Sequence, residues 1–187
     1  MSTQRRKTTK AAAKTATKSA KGTVAATAKK GAASRAAPAP PGWNPKLVVF
    51  ACNWCSYAGA DTAGVSRIQH EPHFRMIRVM CSGRIQPAFV LRAFARGADG
   101  VLVSGCHFGD CHYIFGNERA VEQFDKTMRM VKLLGIEEGR LRLEWISAAE
   151  GARFAEVINE FTAQLRELGP GPFAHSEETG GRKVEVA

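Results

Sequence analysis

The sequence predicts a single α/β domain in which a mostly parallel sheet is covered by helices on both faces. Four short β-branched or apolar runs alternate with helical segments along about 125 of the 187 residues. Strands that alternate with helices return to the same end of the sheet, and right-handed crossovers then place helices on its two faces. No apolar run approaches the roughly 18 residues that a membrane span needs, so we expect no such span.

Four runs of the sequence have the composition of buried strands. Each contains three to five β-branched, aromatic or aliphatic residues and is flanked by polar or glycine-containing segments. The predicted strands are Leu47–Cys52 (LVVFAC), 76–81 (MIRVMC), 100–106 (GVLVSGC) and 141–147 (LRLEWIS).

The last helical segment has the clearest periodicity. Ser147 and Glu150 have the spacing of a capping box before it, and Gly169 followed by Pro170 predicts its end. Its buried face is predicted by the i, i+3, i+4 spacing of Phe154, Val157, Ile158, Phe161, Leu165 and Leu168.

Three further helices are predicted between the strands. One begins near Asn117 and closes at Gly135, and Pro87 opens a shorter one that Gly97 closes. A fourth over 57–69 is interrupted by two glycines. The inward positions are predicted to include Ala58, Val65 and Ile68 in the interrupted helix, and Val121, Phe124, Met128, Val131 and Leu134 in the long one. The domain therefore belongs to the doubly wound, flavodoxin-like or Rossmann-like group.

The two ends of the sequence differ in composition from the domain. Residues 1–44 form an Ala/Lys-rich basic segment with too few apolar residues to offset the entropy of ordering, so we expect a disordered tail. The α/β domain is predicted over 45–169, and 170–187 form a polar C-terminal tail. The basic segment lacks the apolar core of a secretory signal, although a transit peptide is also acid-poor, and we expect a cytoplasmic protein.

The net charge of +10 comes from the N-terminal segment alone. Residues 1–42 contain ten Lys or Arg and no acid, and the other 17 basic residues are balanced by 17 acidic ones. A nucleic-acid or acidic partner is therefore a hypothesis for the tail only, because the domain itself is neutral overall.

The five cysteines are the most informative residues of the domain. Cys52, Cys81 and Cys106 each end a predicted strand, and Cys55 and Cys111 follow in the adjoining loops. An odd number of cysteines without export features argues against a disulfide framework and for metal binding or redox work. Because the carboxyl ends of parallel strands meet at one edge, all five thiols are expected there.

Thiolates at this spacing favour an iron–sulfur cluster, which takes four of them. With a strand order of 2-1-3-4 the crevice opens between strands 1 and 3, which predicts Cys52, Cys55, Cys106 and Cys111 as ligands and leaves Cys81 nearby or exchangeable. Two alternatives stay open. Zinc binds the same four thiolates in an adaptor protein, and the C-x-x-C pair Cys52 and Cys55 is also typical of a thiol-disulfide oxidoreductase.

Other polar residues near the cysteines give weaker signals. His107 and His112 directly follow cysteines, but neighbours in extended chain point oppositely, so we expect hydrogen-bond donors or surface groups rather than ligands. Asp110 and Glu144 have no partner residues that would complete a catalytic site, and no self-contained catalytic site is predicted. The aromatic residues beside the cysteines are expected in the core more often than at a partner-facing surface; they are Trp54, Tyr57, Tyr113 and Phe115.

Four blocks of the sequence, spanning about 46–169, together resemble the delta subunit family of methyl-viologen-reducing hydrogenase, which is a hydrogenase iron–sulfur subunit. The blocks are CNWCSYAGADTAGVSRIQ, RVMCSGRI, GADGVLVSGCHFGDCHYIFGN and LRLEWISAAEGARFAEVINEF. The resemblance covers all five cysteines, so it implies that Cys52, Cys55, Cys81, Cys106 and Cys111 form a cofactor site.

The same resemblance implies a function. It indicates a 2Fe-2S protein that carries electrons from a hydrogenase, or in some systems a formate dehydrogenase, to a flavoprotein that resembles the A subunit of heterodisulfide reductase. The basic N-terminal segment departs from the family pattern. That segment is similar to the tails of nucleoid or linker-histone-like proteins.

Overall fold

A four-stranded parallel sheet organises the domain. The computed structural model describes residues 42–174, so both predicted tails lie wholly or mostly outside the described residues. The strands are β1 (Leu47–Cys52), β2 (Phe74–Val79), β3 (Gly100–Gly105) and β4 (Leu141–Trp145). All neighbouring pairs are parallel and the order is β2-β1-β3-β4, which confirms both the fold class and the strand order on which the ligand choice depends.

The second strand lies two residues earlier than the sequence pattern predicts. Phe74 pairs with Leu47 and Val79 with Cys52, so the ladder ends before Cys81 is reached. Cys81 instead precedes a single 3-10 turn over Ser82–Arg84. The apolar run continues past the strand because Met80 and Cys81 lie at the edge of the sheet, beyond the last paired residue of β2.

Helices cover both faces of the sheet. They are α1 (Ser56–Val65), α2 (Pro87–Ala95), α3 (Gly116–Leu133) and α4 (Gly151–Leu168). Pro87 occupies the first turn of α2, where a missing backbone N–H costs no hydrogen bond. On one face α1 packs with α4, and on the other α2 packs with α3, which is the doubly wound arrangement.

Two separate apolar clusters fill the spaces between sheet and helices. The first joins alternate residues of β1 to α1 and α4, and the second joins β1, β3 and β4 to α2 and α3. The predicted face of α4 is confirmed, because five of its six residues are fully buried; they are Phe154, Val157, Ile158, Phe161 and Leu165. Of the described helices, none is both long and apolar enough to cross a membrane.

Two of the predicted inward positions are wrong. Val65 is 79% exposed because α1 ends there, and Arg67 then takes a positive φ of 55°, which turns the chain so that Ile68 packs instead. Leu134 is 53% exposed because it follows the last residue of α3, and Ile136 fills the core in its place.

A buried polar network closes the amino end of the sheet. The Asp99 carboxylate accepts hydrogen bonds from the backbone N–H groups of Lys46 (2.8 Å) and Gly171 (2.7 Å). The Arg140 guanidinium is buried and donates to Glu137 and to four backbone carbonyls, those of Asp99, Leu168, Gly169 and Pro170. These bonds fix the end of α4, and contacts of the domain extend to Gly171.

Candidate metal centre

Three thiols converge at the carboxyl edge of the sheet, where β1 and β3 end. Cys52 is the last residue of β1, Cys55 is the residue before α1, and Cys106 directly follows β3. Their Sγ atoms all lie within 4.8 Å of one another, and those of Cys52 and Cys106 are 3.7 Å apart. All three are buried, and we call them the three-thiol group. Among residues 42–174 this is the one cluster of cysteine, histidine and acidic side chains with metal-ligand spacing.

Cys55 and Cys106 are joined as a disulfide in this structure, with their Cα atoms 5.5 Å apart. One bonded pair among five cysteines is not the disulfide framework that the sequence argued against. Side chains close enough to share one metal centre are also close enough to bond to each other. The partner of Cys55 is Cys106 and not Cys52, so the C-x-x-C pair is not the one that is bonded.

The other two cysteines meet at the start of α3. A Cβ built on Gly116 would collide with the Cys81 Sγ and would lie 3.0 Å from the Cys111 Sγ. Both sulfur atoms therefore rest against the backbone of Gly116, where no side chain fits. Cys81 and Cys111 also share a side-chain hydrogen bond, and we call them the two-thiol pair.

The two members of the pair differ in acidity. Burial raises the pKa of Cys81, and the nearby thiols Cys111 and Cys52 raise it further, although a backbone hydrogen bond from Gly83 works in the opposite direction. Burial works to raise the pKa of Cys111 as well, but three backbone N–H groups outweigh it and lower the pKa; they belong to Tyr113, Gly116 and Asn117. Cys111 is thus the better thiolate of the two.

The start of α3 explains that difference. Gly116 and Asn117 are the first two residues of the helix, so their N–H groups have no partner inside it. Aimed at a sulfur atom, such groups stabilise negative charge at the positive end of the helix dipole.

One buried polar atom near these thiols has no partner. The Ser82 Oγ is the single buried side-chain N or O within residues 42–174 that makes no hydrogen bond. Ser82 follows Cys81, and its Oγ would lie 2.6 Å from a Cβ built on Gly105, the residue before Cys106. A buried hydroxyl without a partner is costly, and a thiolate or sulfide would accept its hydrogen bond. Together with the soft donor set, this orphan fits an iron–sulfur group at the edge.

The sequence did not identify Asn117 as a residue of the site. Its side-chain amide donates to the backbone carbonyls of Cys106 (3.4 Å) and His107 (2.9 Å), and its Oδ1 accepts from the backbone N–H of Glu118 at 3.0 Å. It therefore ties the loop after β3 to the start of α3. No local pattern marks this role, because it depends on two loops folding against each other. Ser82 was missed for the same reason.

The two histidines lie outside the three-thiol group. His107 Nε2 is hydrogen-bonded to Glu150 Oε2 at 2.7 Å, and the same oxygen accepts the backbone N–H of Ser147 at 2.7 Å. The bond from Ser147, followed by that from His107, lowers the pKa of Glu150. His112 stacks on Trp54 with ring centroids 3.8 Å apart.

Exposed aromatic residues surround the thiols. The prediction that these side chains are mostly core is wrong, because the loops and the first turn of α1 that carry them are exposed at the edge of the sheet. The exposed fraction reaches 61% at Phe115, and the set, which we call the aromatic rim, comprises Trp54, Tyr57, Phe108, Tyr113 and Phe115. Clustered exposed aromatics are typical of a surface that contacts another protein.

The fold and the site together define a class. A doubly wound α/β domain with buried thiols converging at the carboxyl edge of its sheet is a cysteine-ligating, metal-binding protein. Within that class, the chain belongs to the methyl-viologen-reducing hydrogenase delta subunit family, whose model matches residues 47–169.

Relatives extend that assignment. The iron-sulfur D subunit of the F420-non-reducing hydrogenase of Archaeoglobus profundus is 51% identical over 131 residues, which cover 70% of this chain and 96% of that protein. The corresponding vhc iron-sulfur protein of Methanococcus voltae is 52% identical over 128 residues, 68% of this chain and 89% of that protein.

A third relative is much longer. The A subunit of the ferredoxin:CoB-CoM heterodisulfide reductase of Methanosarcina mazei is 52% identical over 154 residues, which are 82% of this chain but 19% of that protein. In that relative the matching region is part of the longer polypeptide itself. Together with the thiol edge, these likenesses support a role for this chain as an electron-transfer subunit.

Proposed function

We propose that this chain is the 2Fe-2S subunit that relays electrons from a hydrogenase, or a formate dehydrogenase, to a flavoprotein that resembles the A subunit of heterodisulfide reductase. The observation that carries the proposal is the three-thiol group, in which buried sulfur atoms from distant parts of the sequence lie within 4.8 Å of one another. When bound, a 2Fe-2S cluster accepts and releases one electron without any bond-making by the protein.

The proposed ligands are Cys52, Cys55, Cys106 and Cys111. The first three form the three-thiol group, and Cys111 is the better thiolate of the two-thiol pair because backbone N–H groups lower its pKa. Cys81, whose pKa is raised, would be the surplus cysteine. Cys55 and Cys106 ligate only as thiolates, so we expect the cluster to bind under reducing conditions.

The protein's own contribution is to exclude water and to supply hydrogen bonds. The three thiols are between 1% and 6% exposed, which keeps the ligating atoms in a low-dielectric setting. The Ser82 hydroxyl and the N–H groups at the start of α3 are donors available to sulfur atoms. Burial and such donors are the means by which a protein sets a cluster's reduction potential.

The partners are proposed from the relatives and from the surface. The aromatic rim would bring an electron donor or acceptor close to the thiols. The Methanosarcina relative, in which a domain like this one is part of the heterodisulfide reductase polypeptide, supports a flavoprotein of that kind as the acceptor. We place the complex in the cytoplasm, with the functional domain over 45–169. The basic N-terminal segment would contact an acidic partner or nucleic acid.

Anaerobic purification of the full chain under reducing conditions tests the proposal. We expect about two iron and two acid-labile sulfide per chain, visible absorbance, and an electron paramagnetic resonance signal after one-electron reduction. A colourless protein that contains zinc would replace the proposal with the adaptor alternative. A metal-free protein that turns over dithiol substrates would replace it with the oxidoreductase alternative.

A further inference from the structure

A long groove between α2 and the edge strand β2 is not explained by the electron relay. It consists of two adjoining openings of about 720 and 360 Å³ that share Phe50, Ile77 and Phe89 as lining residues. We call it the basic groove. It begins beside Lys46 at the amino end of the sheet and reaches Met80, the residue before Cys81, so it ends at the thiol edge.

The groove exists because α2 is too short and too far inward to cover β2. Val90 and Phe94 of α2 pack into the apolar cluster over β1 and β3. Phe50 pairs with Ile77 across the parallel ladder, so both side chains lie on the face that α2 covers. Phe50 is 5% exposed, but Ile77 is 45% exposed and Phe89 on α2 is 38% exposed. An apolar floor is therefore left open to solvent.

Five arginines line the groove. Arg75 and Arg78 lie on β2, Arg84 lies in the turn after it, and Arg92 and Arg96 lie one turn apart, on α2 and at its end. Among the described residues, no acidic side chain lines either opening. Within residues 42–174 none of the five makes an ion pair.

The arginines on the opposite face of the sheet make ion pairs with glutamates. Arg142 pairs with Glu144 and Glu160, and Arg166 pairs with Glu71 at 2.7 Å. The domain thus balances its charges where α4 covers the sheet and leaves positive charge unbalanced along the groove. Unpaired charge of one sign around an apolar floor indicates a partner of the opposite sign.

We propose that the basic groove is the docking site for an acidic segment of the partner flavoprotein, one that carries apolar side chains to cover Ile77 and Phe89. This rests on the proposed function for the identity of the partner. The groove runs alongside the six residues of β2, about 20 Å at 3.3 Å per residue, which is the length of a short polypeptide segment. Because it ends at Met80, a segment bound there would hold the partner at the thiol edge.

Charge argues against two occupants from this protein itself. A second copy would bring the same five arginines against the first set, and no acid from the described lining would offset them. The N-terminal segment contains ten Lys or Arg and no acid over residues 1–42, so it has the same sign. Asn44, Pro45 and Lys46 line one end of the groove.

Nucleic acid fits the groove less well than a polypeptide. Sequence-tolerant binding of a single strand uses several exposed rings on which successive bases stack. The shared part of the groove offers one such ring, Phe89, because Phe50 is buried. An apolar floor of Ile77 and Phe89 matches aliphatic side chains instead.

A charge-reversal pair tests the proposal on the full chain with its cluster in place. The variant is R92E/R96E, and the matched control is K126E/R129E, which makes the same charge change at exposed positions of α3. The probe is the purified flavoprotein of the same organism that resembles the heterodisulfide reductase A subunit, with Kd measured at low and moderate salt. We expect R92E/R96E to weaken binding at least about tenfold and to reduce its salt dependence, and the control to change it less than about twofold.

Equal loss for the two variants, or no loss for either, would overturn the proposal. Tighter binding of a 30-nucleotide single strand than of the flavoprotein, abolished by R92E/R96E, would assign the groove to nucleic acid and also overturn it. Dimerisation of the chain that R92E/R96E abolishes would assign it to a second copy. If residues 89–96 are protected from hydrogen exchange in the chain alone and this protection is lost in E177K/E178K, the groove would be assigned to the chain's own C-terminal residues.

Failure of this proposal is distinguishable from failure of the proposed function. Visible absorbance and iron content of each variant report the cluster independently of binding. A chain that holds its cluster but binds the flavoprotein equally well with R92E/R96E contradicts the groove alone. A chain without a cluster contradicts the electron relay, whatever it binds.

Discussion

The two ends of the sheet differ in the hydrogen bonding of their buried polar groups. At the amino end, Asp99 and Arg140 are buried and their polar atoms make hydrogen bonds within the domain. At the carboxyl end, the thiols are buried beside Ser82, the one buried side-chain oxygen without a partner in the described part of the chain. Closed hydrogen bonding at one end stabilises the fold, and unused donors at the other end are available to a bound group.

The largest effect is expected from the three-thiol group. Cys52→Ser or Cys106→Ser replaces a soft sulfur ligand by a hydroxyl and should abolish cluster binding, whereas Cys81→Ser should leave it bound. Iron, acid-labile sulfide and visible absorbance of the anaerobic proteins measure this. Cluster retention after either of the first two changes, or its loss after Cys81→Ser alone, would refute the ligand choice.

At the opposite end, Arg140→Met should destabilise the fold without touching the site. It removes a buried guanidinium that five partners share, and breaking a buried charged network typically costs about 3–5 kcal/mol. The free energy of unfolding, from denaturant titration, should fall by that amount. Lys132→Met, at a half-exposed side chain, is the control and should cost less than about 1 kcal/mol. The folded fraction of Arg140→Met should still bind its cluster, and selective cluster loss would contradict the separation of the two ends.

An intermediate effect is expected at Gly116, where Cys81 and Cys111 rest on the helix start. Gly116→Ala adds a Cβ that collides with the Cys81 sulfur, so α3 must shift and the unfolding free energy should fall by about 1–3 kcal/mol, with lower iron content. Gly64→Ala is the matched control. A Cβ there meets no atom within 4 Å, so helix propensity should stabilise the protein slightly. Equal iron content in the two variants would argue against close packing at Gly116.

The smallest effect is expected from the surface ion pair between Arg166 and Glu71. The hydrogen bond from Arg166 lowers the pKa of Glu71, so this pair stabilises the fold above the ordinary glutamate pKa near 4.5 and loses that contribution as the pH falls through the lowered value. Both side chains are partly exposed, so Glu71→Gln should cost less than about 1 kcal/mol at pH 7 and less at an acidic pH at which Glu71 is protonated. Denaturant unfolding of both proteins at the two pH values measures this, and a difference that grows in acid would contradict the sign.

Much of the site can be predicted from the sequence, because the ends of the strands can be recognised in it. Parallel strands that each finish in or near a cysteine must gather those cysteines at one edge, whatever the loops do, and Cys52, Cys55 and Cys106 do meet there. The strand order 2-1-3-4 was assumed for a doubly wound sheet, and it is the order observed. Both inferences depend on topology, which short apolar runs and crossovers determine well.

The rest depends on how loops pack, which no local pattern records. Cys81 and Cys111 meet only because the turn after β2 lies against the start of α3, and Asn117 ties the loop after β3 to the same helix start through two carbonyls. The burial of Arg140 could not be predicted from the sequence either, since arginine is seldom buried and its partners lie up to 41 residues away along the chain. The aromatic rim was assigned to the core because composition does not distinguish a buried ring from an exposed one.

Iron K-edge X-ray absorption of the anaerobic, reduced full chain identifies the atoms that bind the metal. If thiolates from the edge of the sheet and inorganic sulfide hold the metal, each iron should have sulfur neighbours only and a second iron close by. Nitrogen neighbours would mean that His107 or His112 ligates, and isolated metal ions without a neighbouring iron would mean that no cluster forms. Either result would contradict the account.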